Sequence, residues 1–469
     1  VSSPQANQTK EAKQTKRTSA NVRGCQELAE QMLSLALAAG ADGAEVLVRD
    51  GAELEVKVRM GEVERIKEAG SRGLGLRVLK DDRAALTYTS DFSPEAMRRF
   101  AEDSVALSRL AEPDPLAALP EREEMARSVP DLDLWDESVL SFEVAEAIRW
   151  AKSGEQAALK FDSRVANSEG AIFGRGVGAT AFASSTGFSA AYRGSSVSFV
   201  VEPVCDDVEG KKRNGYHYTA NRFMVGLLPA EEVGIEAARR TVAKLGSRKI
   251  STCQAPAVFS PEAGRSLVGN LAGLVSGGAV WRKNTYLAER EGTVVASPLV
   301  NLVDDPLLPR GFGSRPFDGE GLAARPNLLV GEGVLRTFLC DVYAARKLGR
   351  RSTGSAGRGL GGGPHVTTSN LILRPGKSSV SQVMDVPQGL YVTSLMGFGF
   401  NPVTGDFSQG AAGFWIDKGQ ITFPVSEITI SVNFDDLWKG VDAIADDLDT
   451  RSSVQCPTFR VAQVTVAGT

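Results

Sequence analysis

Hydrophobic and polar positions follow two rhythms along this chain. Leu28, Met32, Leu35 and Ala36 recur at a spacing of three to four, which predicts an amphipathic helix over 25–39 stopped by Gly40. Farther on, Leu54, Val56, Val58 and Met60 alternate with Glu53, Glu55, Lys57 and Arg59, the pattern of a half-buried strand. Asp50-Gly51 separates that run from another at 44–49 and predicts a type I′ hairpin turn. A second strand pair, 73–79 and 84–89, turns at Lys80-Asp81-Asp82. Ser93-Pro94 then starts a helix, with Ser93 as its cap. Further helices are expected at 141–158 and 230–245. Short strands fill 164–205, with turns at Ser168-Glu169-Gly170 and Ser185-Thr186-Gly187.

Beyond residue 250 the rhythm changes. One helix over 261–276, capped by Ser260 and opened by Pro261, and a short one near 341–348 stand among many strands. Those strands are expected near 293–297, 326–331, 334–339, 370–373, 390–395, 413–417, 420–424, 427–432 and 458–466. The fold class that follows is α+β: an N-terminal α/β domain over 23–248 and a largely β domain over 249–469 with one packed helix. Residues 1–22 lack a large apolar cluster and read as a disordered tail. Residues 111–136, with four prolines and eight acids against two arginines, read as a surface excursion.

Composition narrows the chemistry. The 469 residues exceed one ordinary domain, and 42% hydrophobic with 23% charged residues is globular usage. A net charge of −4 leaves no basic surplus for nucleic acid. No apolar run reaches the ~18 residues of a membrane span. The five cysteines share no C-x-x-C spacing, which fits reduced thiols in a cytoplasmic protein. Only two histidines occur, His217 and His365, so a His-rich metal site is excluded. There is no G-x-S-x-G elbow, and Gly376-Lys377-Ser378 lacks the earlier glycine of a P-loop.

The helix at 261–276 is the most informative segment. Leu267, Leu271, Leu274 and Val275 form its apolar stripe, while Gly264, Gly269 and Gly273 are costly in a helix interior and predict close approach of another backbone. It leaves through Ser276-Gly277-Gly278-Ala279-Val280-Trp281-Arg282-Lys283, expected as a flexible turn. Three other stretches stand out. They are Asn167-Ser168-Glu169-Gly170 with Ser185-Thr186-Gly187-Phe188, the run from Asn401-Pro402 through Gly410 to Gly413-Phe414-Trp415-Ile416, and the terminal run Thr458–Gly468.

These stretches resemble the TldD/TldE family, whose TldE branch is also called PmbA and whose older label is "modulator of DNA gyrase". The resemblance runs from about Gly24 to Thr469. In that family the TldD half carries His-Glu-x-x-x-His on this helix, two zinc ligands and a base. Here the motif positions hold Gly269, Asn270 and Leu274, which supply neither. A late cysteine ligand of TldD does not match the spacing of Cys456. The resemblance therefore implies a TldE-type chain with no cofactor of its own and no catalytic residue. Zinc is expected on a TldD-type partner, in a heteromeric metallopeptidase that degrades or trims unfolded peptides. Family substrates include microcin precursors and some antitoxins.

In this reading the chain closes the chamber around the partner's zinc and holds an extended peptide by strand addition. Met396, Gly397 and Phe398, in a glycine-flanked apolar run, are groove candidates, as are Trp281 and Arg282. Each also has a plain structural reading, as a bulged core strand or a packed Trp beside a solvated basic pair. Two alternatives differ in class: a self-sufficient hydrolase with an unrecognised site, and a regulatory homodimer acting without any TldD partner.

Overall fold

The computed structural model describes residues 21–468. The expected tail over 1–22 lies outside them except for its last two residues, and Val22 already opens a helix, Val22–Ala38.

A seven-stranded antiparallel sheet organises the first half. Its strands are β1 (Gly43–Arg59), β2 (Glu62–Lys80), β3 (Arg83–Thr89), β4 (Val165–Ser184), β5 (Phe188–Asp206), β6 (Lys212–Asn214) and β7 (His217–Asn221). Their order is β3-β2-β1-β4-β5-β6, with β7 also on β5. The period of two puts Val46, Val48, Leu54, Val56 and Val58 on one face of β1. Four helices cover that face: Val22–Ala38 and Pro94–Ser108 over one end, Val144–Phe161 and Ala230–Val242 over the other. The opposite face carries Leu47 and Phe182, which pack with Phe188, Phe317, Leu322 and Val342. The two halves of the chain therefore share a core.

The hairpin at Asp50-Gly51 does not form: β1 runs straight through it and turns at Met60-Gly61, both at positive φ. Asp50 is buried, and a Cβ on Gly51 would lie 3.0 Å from the Val177 carbonyl, so this dipeptide serves close strand packing. Buried Glu155 fixes the real turn, accepting the amides of Met60 and Gly61 at 2.9 and 2.8 Å. Ser168-Glu169-Gly170 is likewise no turn but a bulge inside β4, whereas Ser185–Gly187 does join β4 to β5. The strands expected to be short over 164–205 are 20 and 19 residues long. Ser93 precedes its helix without a side-chain capping bond.

The second half closes a barrel. Its strands are β8 (Cys253–Phe259), β15 (Gln388–Met396), β16 (Asp406–Asp417), β17 (Gln420–Asn433) and β20 (Phe459–Ala467). They pair in the order β17-β16-β15-β8-β20, and β17 pairs back onto β20, which closes the sheet on itself. β8 and β15 run parallel. β18 (Val441–Ile444) extends β20. Beside it, β9 (Leu302–Asp304), β10 (Asn327–Gly331), β11 (Val334–Leu335), β14 (Leu371–Leu373) and β19 (Val454–Gln455) form a smaller sheet in the order β11-β10-β9-β14-β19, while β12 (Ala356–Gly357) pairs with β13 (His365–Val366). The runs at 420–424 and 427–432 are one strand interrupted by Glu427 at φ 56°, and 293–297 is irregular. The helix Pro261–Leu274 packs Leu267, Leu271 and Leu274 into this core with Phe259, Trp438 and Phe459.

Candidate functional site

The helix Pro261–Leu274 begins as its sequence predicts. Ser260 Oγ accepts the Ala263 amide at 3.3 Å, and Pro261 fills the first turn. Its glycines divide into two kinds. A Cβ on Gly264 would meet Cys456 Sγ at 2.7 Å and Phe459 at 2.8 Å, so tight packing requires that glycine. Nothing lies within 4 Å of a Cβ on Gly269 or Gly273, so the expected close backbone approach is absent there. Asn270 is half-buried beside them, and Leu274 is 1% exposed in the core. The Ser276–Lys283 stretch is not a loose turn: Gly277–Trp281 forms a short helix with Gly277 and Gly278 buried.

The first turn of this helix joins a charged cluster that ties the two halves of the chain together. Glu262 accepts from Arg240 at 3.0 and 3.1 Å and from Arg451 at 3.3 Å. Arg451 also donates to Asp449 at 3.0 and 2.8 Å and to the Tyr218 carbonyl at 2.7 Å, with its guanidinium 4.5 Å from the Tyr218 ring centre. Arg265 pairs with Asp449 and bonds the Tyr218 hydroxyl. Burial pushes Asp449 up, but the Arg451 hydrogen bonds and the charges of Arg265 and Arg451 outweigh it and hold the carboxyl below its ordinary range. Against its own desolvation, Arg451 is driven up by the same pair.

His217 lies beneath this cluster. It is 8% exposed, with Nδ1 lacking a partner. Burial, then the charges of Arg240 and Arg451, lower its pKa to about 4, so the ring is neutral at pH 7. His365 is exposed, with Nδ1 3.4 Å from the Gly363 carbonyl. Above the cluster opens a cavity of about 530 Å³, walled by the helix Ala230–Val242, the residues that follow it and the 447–451 segment, with β15 and β16 as its floor. No local pattern in the sequence signals it, because its residues come from six separate segments.

The candidate groove residues fall elsewhere. Met396, Gly397 and Phe398 form the tip between β15 and β16, with Met396 at 53% and Phe398 at 102% exposure. The tip is anchored by its backbone: the Ser408 amide donates to Gly399 and Gln409 Nε2 to Gly397. Trp281 packs edge-on to Tyr343 at 6.0 Å, with Arg282 and Lys347 near its ring at 4.9 and 5.6 Å. No hydrogen bond, ion pair or ring contact joins the Trp281 group to the Phe398 tip among the described residues, and neither lines the cavity.

The helix does not fit a metal. Gly269 has no side chain, Leu274 is turned into the core, and no three His, Cys, Asp or Glu side chains among the described residues gather as a metal site. Four thiols are held in their protonated form: burial raises those of Cys25 and Cys340 to about 11 and pushes Cys205 and Cys456 up as well. No helix among the described residues is long and apolar enough to cross a membrane.

Comparison with known proteins follows this geometry. Three family models match in succession: PmbA/TldA metallopeptidase domain 1 at residues 44–108, the central domain at 137–245 and the C-terminal domain at 252–468. The chain is 37% identical over 439 residues to the metalloprotease PmbA of Escherichia coli O157:H7, covering 93% of this chain and 94% of that one. A PmbA homologue of Haemophilus influenzae is 33% identical over 438 residues, covering 93% and 94%. A crystal structure described as a modulator of DNA gyrase, from Bacteroides thetaiotaomicron, superposes with a TM-score of 0.88 at 26% identity, covering 94% and 98%. TldE of Thermococcus kodakarensis shares the fold, with a TM-score of 0.84 at 22% identity and coverage of 94% and 100%.

Proposed function

The chain belongs to the PmbA/TldD metallopeptidase family, and from that premise we propose that it is the TldE-type subunit without metal in a zinc peptidase complex. The observation that carries this reading is the helix Pro261–Leu274: at the three motif positions Gly269 and Leu274 offer no ligand, and Asn270 replaces the base. The zinc belongs to a TldD-type partner in the cytoplasm, and this chain supplies chamber wall and peptide-holding surface. Unfolded peptides are the substrates. The exposed Phe398–Met396 tip and the Trp281–Arg282 pair are surfaces offered to partner and peptide. A rigid exposed aromatic suits an interface anchor, since burying it against a partner contributes about 2 kcal/mol. The test is hydrolysis of an unstructured peptide by the isolated chain, with zinc assayed in parallel. The proposal expects neither activity nor stoichiometric zinc. Chelator-sensitive hydrolysis by the chain alone would contradict it.

A further inference from the structure

A glycine-rich strap crosses from the second half of the chain onto the first. It is the loop between β12 and β13, and five of the seven residues over 357–363 are glycine. Its tip is seated on the large sheet. Buried Arg358 donates to Glu45 Oε2 at 2.8 Å, and Arg49 Nη2 donates to the Arg358 carbonyl at 2.9 Å. Leu360 fills a notch cut into β2 by two glycines. A Cβ on Gly73 would lie 2.6 Å from Leu360 Cδ1, and one on Gly75 would lie 2.2 Å from the Leu360 carbonyl oxygen. The root of the strap is held by the turn at 318–322. Asp318 Oδ2 accepts the Ala356 amide at 3.0 Å, and the Gly319 amide donates to the Ala356 carbonyl at 2.8 Å.

The same turn carries a carboxyl group without a counter-ion. Glu320 is 2% exposed, and its Oε2 accepts the Val342 amide at 2.9 Å. Among the described residues no cation lies within ion-pair distance of it. Arg358 and Arg77 both sit on Glu45 Oε2, at 2.8 and 3.0 Å. The groups that face Glu320 are mostly acids: Asp318 on its own turn, Glu45 on β1 and Asp341 at the cap of the helix Val342–Lys347. Against them stand Arg358 on the strap and Arg315, which faces Asp318. Glu45 Oε1 is itself buried without a partner. One more unpaired negative charge here is far costlier than the neutral acid. Burial first, then the charges of Asp318 and Glu45, push the Glu320 carboxyl well above its ordinary range. Asp318 accepts three backbone amides, from Glu320, Leu322 and Ala356, and is the member of the pair that gives up its proton first.

We propose that Glu320 is a proton-operated lock on this strap: as the neutral acid it leaves root and tip seated, and when its proton passes to solvent its charge competes with Glu45 for Arg358 and frees Leu360 from the β2 notch. The lock is built from this chain's own residues and is independent of the subunit role. Its release reaches the Trp281 surface as well, because β13 rests against the short helix Gly277–Trp281.

The experiment is hydrogen exchange on the full chain from pH 6 to pH 9.5, expressed as protection factors so that intrinsic base catalysis is divided out. In wild type, protection of 356–363 and of the facing 73–76 should fall by about tenfold or more across that range. Glu320→Gln keeps an acceptor for the Val342 amide without the charge, and its protection should stay level. Lysine and tyrosine titrations act on both proteins alike and cancel in the comparison. Thermal melts give an independent readout. The folded chain holds a proton that the unfolded chain sheds above about pH 4.3, so this residue costs wild type stability as pH rises. The melting-temperature gap, variant minus wild type, should therefore widen from pH 5 to pH 9. Asp341→Asn removes one facing charge, keeps the oxygen that caps the Ala344 amide, and should move the loss of protection to higher pH. It is the second variant should Glu320→Gln fail to fold. Equal protection in wild type and Glu320→Gln at every pH, loosening confined to other segments, or a transition unmoved by Asp341→Asn would overturn the proposal.

Discussion

Acidification should expose His217 as a weak point where the halves of the molecule meet. The ordinary imidazole pKa of about 6.5 is the unfolded value, and the folded value is about 4. The unfolded chain thus binds a proton that the folded chain refuses, and stability falls as pH drops from about 6.5 toward 4. Between pH 7 and pH 5 the loss from this residue is about 2 kcal/mol by linkage. For units of this size it corresponds to about 4–8 °C in melting temperature. The groups facing the ring set the shift: burial first, then Arg240 and Arg451 lowering it, with Glu236 and Glu262 opposing. Other titrations overlap. Asp304, raised to about 6 by burial, gains stability as pH falls, and the depressed Asp449 loses its contribution only below its ordinary range. The readout is therefore a difference. Thermal melts of wild type and His217→Leu at pH 7 and pH 5 should show a steeper loss in wild type by about 2 kcal/mol. Parallel pH profiles would refute the burial argument.

Other consequences follow from single contacts. Gly234→Ala places a methyl 2.0 Å from the Gly154 carbonyl, where the helices Ala230–Val242 and Val144–Phe161 cross, and should cost about 2–3 kcal/mol in denaturant melts. Leu274→His should cost about 3 kcal/mol or more, whereas Gly269→His, into open space, should cost about 1 kcal/mol or less. The triple change that writes the motif (Gly269→His, Asn270→Glu, Leu274→His) should therefore fail to build a zinc site, as metal titration would show. Phe398→Ala should leave the melting temperature unchanged, since its side chain touches solvent only, yet weaken association with a TldD-type partner by about tenfold or more in sedimentation.

How much of this was legible depended on whether local pattern and tertiary context agreed. The helix Pro261–Leu274 was readable because cap, proline and apolar stripe all point the same way. The alternation at 54–60 was readable for the same reason. Asp50-Gly51 misled because its turn propensity is overridden by pairing on both sides, with β2 and β4, while the true turn at Met60-Gly61 is held by Glu155, almost a hundred residues away. The outer half of β2 carries charge on both faces and reads as loop, yet it is strand because β1 templates it. The cavity and its ion cluster were invisible for a deeper reason. Arg240, Glu262, Asp449 and Arg451 look like ordinary surface charges until the fold brings them together. The family assignment reached farther than the local reading, because it rests on runs such as Asn401–Gly410 that serve the fold as a whole.

The most direct measurement is a titration. A TldD-type partner is held at fixed concentration, this chain is added, and hydrolysis of an unstructured peptide is followed with and without chelator. The account predicts activity that rises to a plateau at one chain per partner, vanishes with chelator, and leaves zinc on the partner alone. Activity that is independent of this chain, or zinc bound stoichiometrically by this chain, would contradict it.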